Sequence, residues 1–463
     1  MNILRMTSPN KLPIVVVIGA TGCGKSKLAI ELAKIFNGEV ISADSMQVYK
    51  GLDIITNKVT KEEQQGIPHH LLDFVNPFKR FMITDFSNLA LPLIDNIIQR
   101  KKLPIIVGGT NYYIESLLWK VLVPKEVVDT SFCGSSQEAN NNINSNSTFE
   151  KNNSNLSNNN LPEDKISDIQ NVKKIFQVPI DFDTLDNISS QELHDMLRII
   201  DPKMANTLHP NDRRKIIRSL QIYQQKGVTH SQLLEEQKTE SGSSCYGGPL
   251  RFKNTCILFI QCKQNALNER LDSRVDDMIK TGLIEEIQGF YKDYRNYTTS
   301  NNILPDYTYG IFQSIGFKEF HKYLMLPDDE KETEAGKKLF AEGLFMMKLV
   351  TKRYSRKQLK WIRNRFLKQE RNAPPVYGLD ATNLSQWKEK VLDPATVVVD
   401  ALLKEHRPSI ESLPIIQTQA NIKQLFFCDL CQKSIVGTMV WEKHLKSRKH
   451  AKMKKRVATE QQK

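Results

Sequence analysis

No stretch of about 18 consecutive apolar residues occurs in this chain of 463 residues, which excludes a hydrophobic membrane-spanning helix. Cysteine is scarce and scattered: seven residues, of which Cys428 and Cys431 form the one close pair. That excludes a disulfide framework and suits a reducing compartment. The opening segment MNILRMTSPNKLP is too short and polar for a secretory signal. It lacks acids and carries basic residues, so it permits an organellar address, but a flexible lead-in over residues 1–12 is the simpler expectation. Acids are outnumbered, 52 against 65 Lys and Arg, for a formal charge of +13. The surplus is concentrated. Residues 421–463 hold eleven Lys/Arg against three acids, and residues 351–370 hold eight against one. Such clusters favour a polyanionic partner, most simply nucleic acid.

The regular part of the chain reads as alternating strands and helices. LPIVVVIGA is a short β-branched run of the kind buried in parallel sheets. KSKLAIELAKIF has helical spacing and stops at Asn37-Gly38. EVISAD is a second strand. FSNLALPLIDNIIQRKK is helical, with an interruption expected at Pro92, and LPIIVGGT is a third strand. The order predicts an α/β core with a parallel sheet over residues 13–132. An Asn/Ser-rich stretch, residues 133–165, has the composition of a disordered loop. A mainly helical insertion follows over 166–250. The strand NTCILFIQC then rejoins the sheet and leads to long basic helices over 251–366. Residues 367–420 read as a linker, and a small separate unit fills 421–463.

One local pattern carries chemistry. Gly19-Ala-Thr21-Gly22-Cys23-Gly24-Lys25-Ser26 is a complete phosphate-loop signature, placed between a strand and a helix. Its backbone N–H groups approach phosphate oxygens, Lys25 supplies a cation, and Ser26 can ligate Mg²⁺. Nucleotide-hydrolysing enzymes add an acid at the end of a later strand to hold the magnesium. Here that strand ends in Gly108-Gly109-Thr110 and no acid is present. The acid available is Asp44, just past the second strand. It should face the same crevice and can act as a general base on a second substrate.

Seven segments occur in order: GATGCGKS, ISADSMQVYKGLDIITNK, GIPHHLLD, PIIVGGTNYYIESLL, HPNDRRKIIRSL, SIGFKEF and KRYSRKQLKWIR. Together they strongly resemble the tRNA dimethylallyltransferases (tRNA isopentenyltransferases), over residues 13–120 and 191–366. The resemblance implies transfer of a dimethylallyl group from its diphosphate to N6 of the adenine 3′ of the anticodon, in tRNAs reading codons that begin with U. The loop would then hold the diphosphate of an isoprenoid rather than ATP. Asp44 would take the amine proton, with Lys25, Thr110 and Mg²⁺ on Ser26 assisting. The resemblance assigns tRNA contacts to Asp44, Ser45, Gln47, Arg214, Arg218, Gln313 and Lys318. Bacterial relatives usually carry Arg where this chain has Gln313, a departure from the family pattern that shifts the expected positive charge to Lys318. The aromatics Tyr354 and Trp361, within the last segment, fit a core role or a stacking role equally.

At the C-terminus, Cys428-x2-Cys431-x12-His444-x5-His450 has zinc-ligand spacing, with one helix expected to present both histidines. Four ligands imply a structural Zn²⁺, because about 40 residues bury too little core to fold without one. The basic run KSRKHAKMKKR suits phosphates and also reads as a nuclear localisation signal. The expected protein is a monomer without membrane association, cytoplasmic with mitochondrial and nuclear pools. Competing readings are an adenylate isopentenyltransferase using free AMP or ADP, a small-molecule phosphate-loop kinase, and a non-catalytic nucleic-acid binder.

Overall fold

The computed structural model describes residues 12–120, 187–239, 247–301, 310–368, 373–417 and 421–460, together with positions 180, 185, 241, 243 and 307. The Asn/Ser-rich stretch 133–165 and nearly all of the N-terminal lead-in lie outside the described residues. The first elements in chain order are β1 (Ile14–Gly19), α1 (Lys25–Phe36), β2 (Gly38–Ser42), β3 (His69–His70), α2 (Ile83–Gln99), β4 (Leu103–Val107) and α3 (Asn111–Leu118). Next come α4 (Ser190–Ile200), α5 (Arg213–Lys226), α6 (His230–Thr239), β5 (Thr255–Gln261), α7 (Gln264–Lys280), α8 (Leu283–Asn301) and α9 (Glu334–Arg365). The last are β6 (Val376–Asp380), α10 (Asp393–Leu403), β7 (Leu425–Cys428), β8 (Lys433–Val436), α11 (Thr438–Leu445) and α12 (Arg448–Glu460).

The described residues fall into two compact units, one within Met1–Val121 and Gly242–Gln417, the other within Leu122–Ser241 and Thr418–Lys463. The first contains a parallel sheet of order β3-β2-β4-β1-β5-β6. Its central strand, IVVVIG, is buried along its whole length, as its unbroken apolar run requires. Val15 and Val17 join a core on one face with Leu28 and Leu32 of α1, while Val16 and Ile18 join a core on the other with Phe86 and Ile94 of α2. Helix α2 runs uninterrupted through Pro92. Pro92 sits on the exposed side, and the buried residues Phe86, Ala90, Ile94 and Ile97 hold the helix to the sheet. The local cost of one missing N–H is thereby offset by packing.

The expected linker 367–420 is largely structured. Val376–Asp380 pairs in parallel with β5 as the sixth strand, and α10 buries Ala395, Val398 and Val399 in the core beside α1. The sequence reading missed this because VYGLD is too short to show a period, and Pro374 and Pro375 before it read as loop.

The second unit joins helices α4–α6 to the C-terminal hairpin β7-β8, so the C-terminal segment is not separate as expected. Leu425 donates its N–H to the Asn206 carbonyl at 2.7 Å. His209 Nδ1 accepts the Asn211 N–H at 3.0 Å. That leaves Nε2 to carry the proton and donate to the Ser434 carbonyl, also at 3.0 Å.

Candidate active site

Strand β1 delivers the chain to Gly19, and α1 begins at Lys25, so the phosphate-loop signature spans the strand-to-helix turn its sequence requires. The first N–H groups of α1 have no intrahelical acceptor, and the helix polarity there favours an anion. A cavity of about 540 Å³ opens at this point. Thr21, Gly22, Gly24, Lys25 and Ser26 form one wall; Asp44, Gln47, Gly108, Gly109 and Arg274 border the same space. It lies beyond the carboxyl ends of β1, β2 and β4, where open parallel sheets take their ligands.

Asp44 sits two residues past β2. Its Oδ1 accepts the Met46 N–H at 3.0 Å, so the carboxylate also closes a turn. Thr110 supports that turn from β4. Its Oγ1 accepts the Ser45 N–H at 2.9 Å and donates to Ser45 Oγ at 3.1 Å. The two strand ends approach so closely that a Cβ on Gly108 would lie 2.0 Å from the Ala43 carbonyl oxygen, which only glycine allows. Lys25 Nζ donates to the Ala20 carbonyl at 2.9 Å. Gln47 Nε2 donates to the carbonyls of Thr56 and Asn57.

Four of the expected residues, Gly19, Cys23, Ser45 and Thr110, lie behind the wall. Cys23 is buried beneath the loop against Gly19. Burial pushes its thiol pKa up, against the lowering effect of Lys25. Ser45 and Thr110 hold the Asp44 turn and do not border the cavity.

Two residues not expected at the site from the sequence, Gln358 within the KRYSRKQLKWIR segment and Arg274, are brought here by distant helices. Gln358 of α9 accepts the Thr21 N–H at 2.8 Å and donates to the Gly109 carbonyl at 3.0 Å, tying the phosphate loop to the β4 turn. Arg274 of α7 borders the cavity, and its Nε is buried with no hydrogen-bond partner among the described residues. Burial pulls its pKa down, opposed by Cys23 and Asp44. A buried cation facing a cavity calls for an anion. The signal was spatial: Gln358 lies 337 residues from Thr21 and 249 from Gly109, the two residues it bonds.

The expected RNA-contacting residues fall in both units. In the first, Gln313 and Lys318 are exposed on a turn anchored by buried Ile311, Phe312 and Phe317. Trp361 donates Nε1–H to Glu115 at 2.5 Å while its ring stays 39% exposed, so it is neither pure core nor a free platform. In the second, Arg214 is exposed and Arg218 half-buried on α5. Their neighbour Arg213 turns inward to the carbonyls of Leu185 and Ile188.

Also in the second unit, Cys428, Cys431, His444 and His450 bring one ligand atom each within 4.8 Å of one another. His444 Nε2 is buried and has no hydrogen-bond partner among the described residues, which is the condition of a nitrogen awaiting a metal. The donor set fits zinc. The two histidines sit on separate helices, α11 and α12, and not on one as expected. The longer spacing leaves room for Ser447, whose Oγ accepts the His450 N–H at 3.2 Å and starts the second helix.

The IPP transferase family profile matches residues 47–161 and 166–365. A human tRNA dimethylallyltransferase is 42% identical over 96% of this chain and 86% of its own length. The chain belongs to the tRNA dimethylallyltransferase family. The Schizosaccharomyces pombe member is 34% identical over 95% of this chain and 94% of its own. A crystal structure of a eukaryotic dimethylallyltransferase acting on tRNA superposes with a TM-score of 0.71, at 29% identity, over 97% of this chain and 98% of that one. A zinc-finger double-stranded RNA-binding profile matches residues 425–451. The IPP transferase profile ends at residue 365, so β6 and α10 lie beyond it, although β6 is the sixth strand of the same sheet and α10 packs on its core.

Proposed function

We infer that this protein transfers a dimethylallyl group from dimethylallyl diphosphate to N6 of the adenine 3′ of the anticodon in tRNAs that read U-starting codons. The observation that carries the reading is a single cavity bordered by both the phosphate loop and Asp44, with Gly108-Gly109 at the end of β4 where a nucleotide hydrolase would keep its acid. That arrangement suits a diphosphate leaving group and a proton acceptor better than a phosphoryl transfer.

The chemistry follows from the side chains. Backbone N–H groups of the loop, Lys25 and Arg274 hold the diphosphate and stabilise the charge it gains as the C–O bond breaks. The N6 lone pair is delocalised into the adenine ring, so the amine needs alignment and a base. It forms the C–N bond, and Asp44 receives its proton. Thr110 and Ser45 hold the Asp44 turn, and Gln358 keeps it in register with the loop. Among the described residues, no cluster of three or more His, Cys, Asp or Glu stands at this cavity. Ser26, at the start of α1 and on the cavity wall, is the residue that would hold a magnesium ion there. When bound, the ion would neutralise part of the diphosphate charge.

An adenine stacked in an anticodon loop must turn out to reach such a cavity. Arg214, Arg218, Gln313 and Lys318 supply contacts for the surrounding nucleotides. The finger, closed by a structural zinc, and its basic α12 supply phosphate contacts to paired RNA.

The test supplies purified protein with Mg²⁺, labelled dimethylallyl diphosphate and either unmodified tRNA or AMP. A dimethylallyl mass gain on the adenosine beside the anticodon, with AMP unchanged, is expected. Gain on AMP alone would move the protein to the free-nucleotide class. Phosphate passing from ATP instead would make it a kinase.

A further inference from the structure

Glycine 24 ends the phosphate loop with φ +93°, and its lack of a side chain answers to a second constraint. A Cβ there would lie 2.7 and 2.8 Å from two carbons of the Trp387 ring. Trp387 belongs to the segment between β6 and α10, beyond the family profile and within the stretch that reads as linker. Its ring is 5% exposed. Its Nε1–H donates to Glu31 Oε2 at 2.7 Å, and Lys27 Nζ lies 4.7 Å from the ring centroid. Gly24, Lys27 and Glu31 all border the cavity. One indole therefore touches three residues of the phosphate-binding wall from behind.

The approach of the indole is itself fixed. Arg270 of α7 donates to the carbonyls of Ala381 and Thr382 at 2.8 and 2.7 Å. Thr382 Oγ1 accepts the Lys263 N–H, and Asp380 accepts the Thr382 N–H. The turn leaving β6 is thus pinned before Trp387 is reached. A core-filling aromatic would need only apolar neighbours. This one gives its single N–H to a cavity carboxylate and stacks beneath a cavity cation, which is a cation–π arrangement.

We propose that Trp387 is a positioning residue for the diphosphate site, and that the β6–α10 segment serves as a buttress of the phosphate loop. The ring fixes the Gly24 peptide at the start of α1, so that the loop N–H groups are preorganised for diphosphate. Its hydrogen bond holds Glu31 back, and the ring face holds Lys27, which keeps the carboxylate from competing with the substrate's anion. The proposal rests on the reading of this loop as the diphosphate site.

The experiment measures binding of inorganic diphosphate with Mg²⁺ by calorimetry to the full chain and to Trp387→Phe and Trp387→Ala. In parallel it follows tRNA affinity, thermal midpoint and hydrogen exchange of the loop amides. Expected are a loss of about tenfold or more in diphosphate affinity for W387A, the scale on which lost preorganisation acts, and a smaller loss for W387F, which keeps a ring but no N–H. Loop amides exchange faster in both, and tRNA affinity stays within twofold. Unchanged diphosphate affinity in folded W387A overturns the proposal; so does a parallel loss of diphosphate and tRNA binding. If W387A does not fold, W387F decides, and wild-type affinity and exchange there overturn it. Wild-type protein that binds no diphosphate overturns the site reading and the proposal together.

Discussion

Asp44 combines two tasks in one carboxylate. Oδ1 is engaged by the Met46 N–H, while a Cβ on Gly109 would come within 3.3 Å of Oδ2, which places that oxygen at the cavity edge. One oxygen orients the group and leaves the other for the substrate amine. Asp44→Asn keeps the turn acceptor but removes the base. Transfer should fall by about 10²–10⁴-fold, the usual worth of a positioned base, with tRNA affinity intact; single-turnover assays beside filter binding would check this, and near-normal turnover would remove Asp44 from the role. Arg274 makes a separate prediction, because its Nε is buried with no hydrogen-bond partner among the described residues and the residue borders the same space. Arg274→Ala should lose about 10²-fold or more in kcat/KM for dimethylallyl diphosphate, as for other charge-stabilising donors, without a change in KM for tRNA. Steady-state kinetics with each substrate varied in turn would separate the two.

At the scale of elements, the site depends on β2 and β4 keeping their register, and the opposite end of the sheet supplies a clamp. Glu39, 2% exposed, accepts from Arg100 at 2.5 and 2.7 Å, from Lys102 at 2.7 Å, and pairs with His70 at 2.8 Å. Bonding from Arg100, with Lys102 and His70 adding, holds its carboxyl far below the usual range against the opposing effect of burial. A depressed carboxylate pKa stabilises the fold above its unfolded value of 4.5. That stabilisation is lost as pH falls below this value toward the folded pKa. Glu39→Gln should therefore cost about 2 kcal/mol near neutrality, and the gap from wild type should narrow as pH drops below 4.5 in denaturant titrations. This clamp joins β2, β3 and the end of α2, and nothing in the sequence announced it. The phosphate loop and Asp44 were readable because eight contiguous residues, and an acid placed just after a strand, encode them locally. Gln358, Arg274 and Trp387 were not, since each reaches the site from a distant part of the chain and looks like an ordinary helical or loop residue where it stands. The zinc ligands were readable from spacing alone. The break between α11 and α12 was not, because KHLKSRKH carries no Gly or Pro to announce it and the Ser447 cap of the second helix shows only in the structure.

At the scale of the whole molecule, the second unit joins a helical insertion to a C-terminal finger that lies more than 200 residues later in the chain. The finger has little apolar material of its own: Phe426 stacks on Trp441 at 5.2 Å, and Trp441 on His444 at 5.7 Å. A stack this small cannot offset the chain entropy of some 40 residues, so metal ligation must supply the difference. Removal of zinc should therefore unfold β7, β8 and α11 while leaving the parallel sheet of the first unit intact. Hydrogen exchange after chelation is expected to show fast exchange confined to residues 421–460 and to the Asn206–His209 contacts that receive the finger. Because α12 carries Lys452, Lys454, Lys455 and Arg456, the same treatment should weaken tRNA binding and flatten its salt dependence, each lost phosphate contact lowering the slope by about one. Single-turnover transfer at saturating tRNA should stay near the untreated rate, since Lys25, Asp44 and Arg274 all belong to the first unit. A chelated or Cys428→Ser protein with unchanged tRNA affinity and salt slope would show that the finger takes no part in holding RNA, and a lost single-turnover rate at saturation would show that it acts on the chemical step.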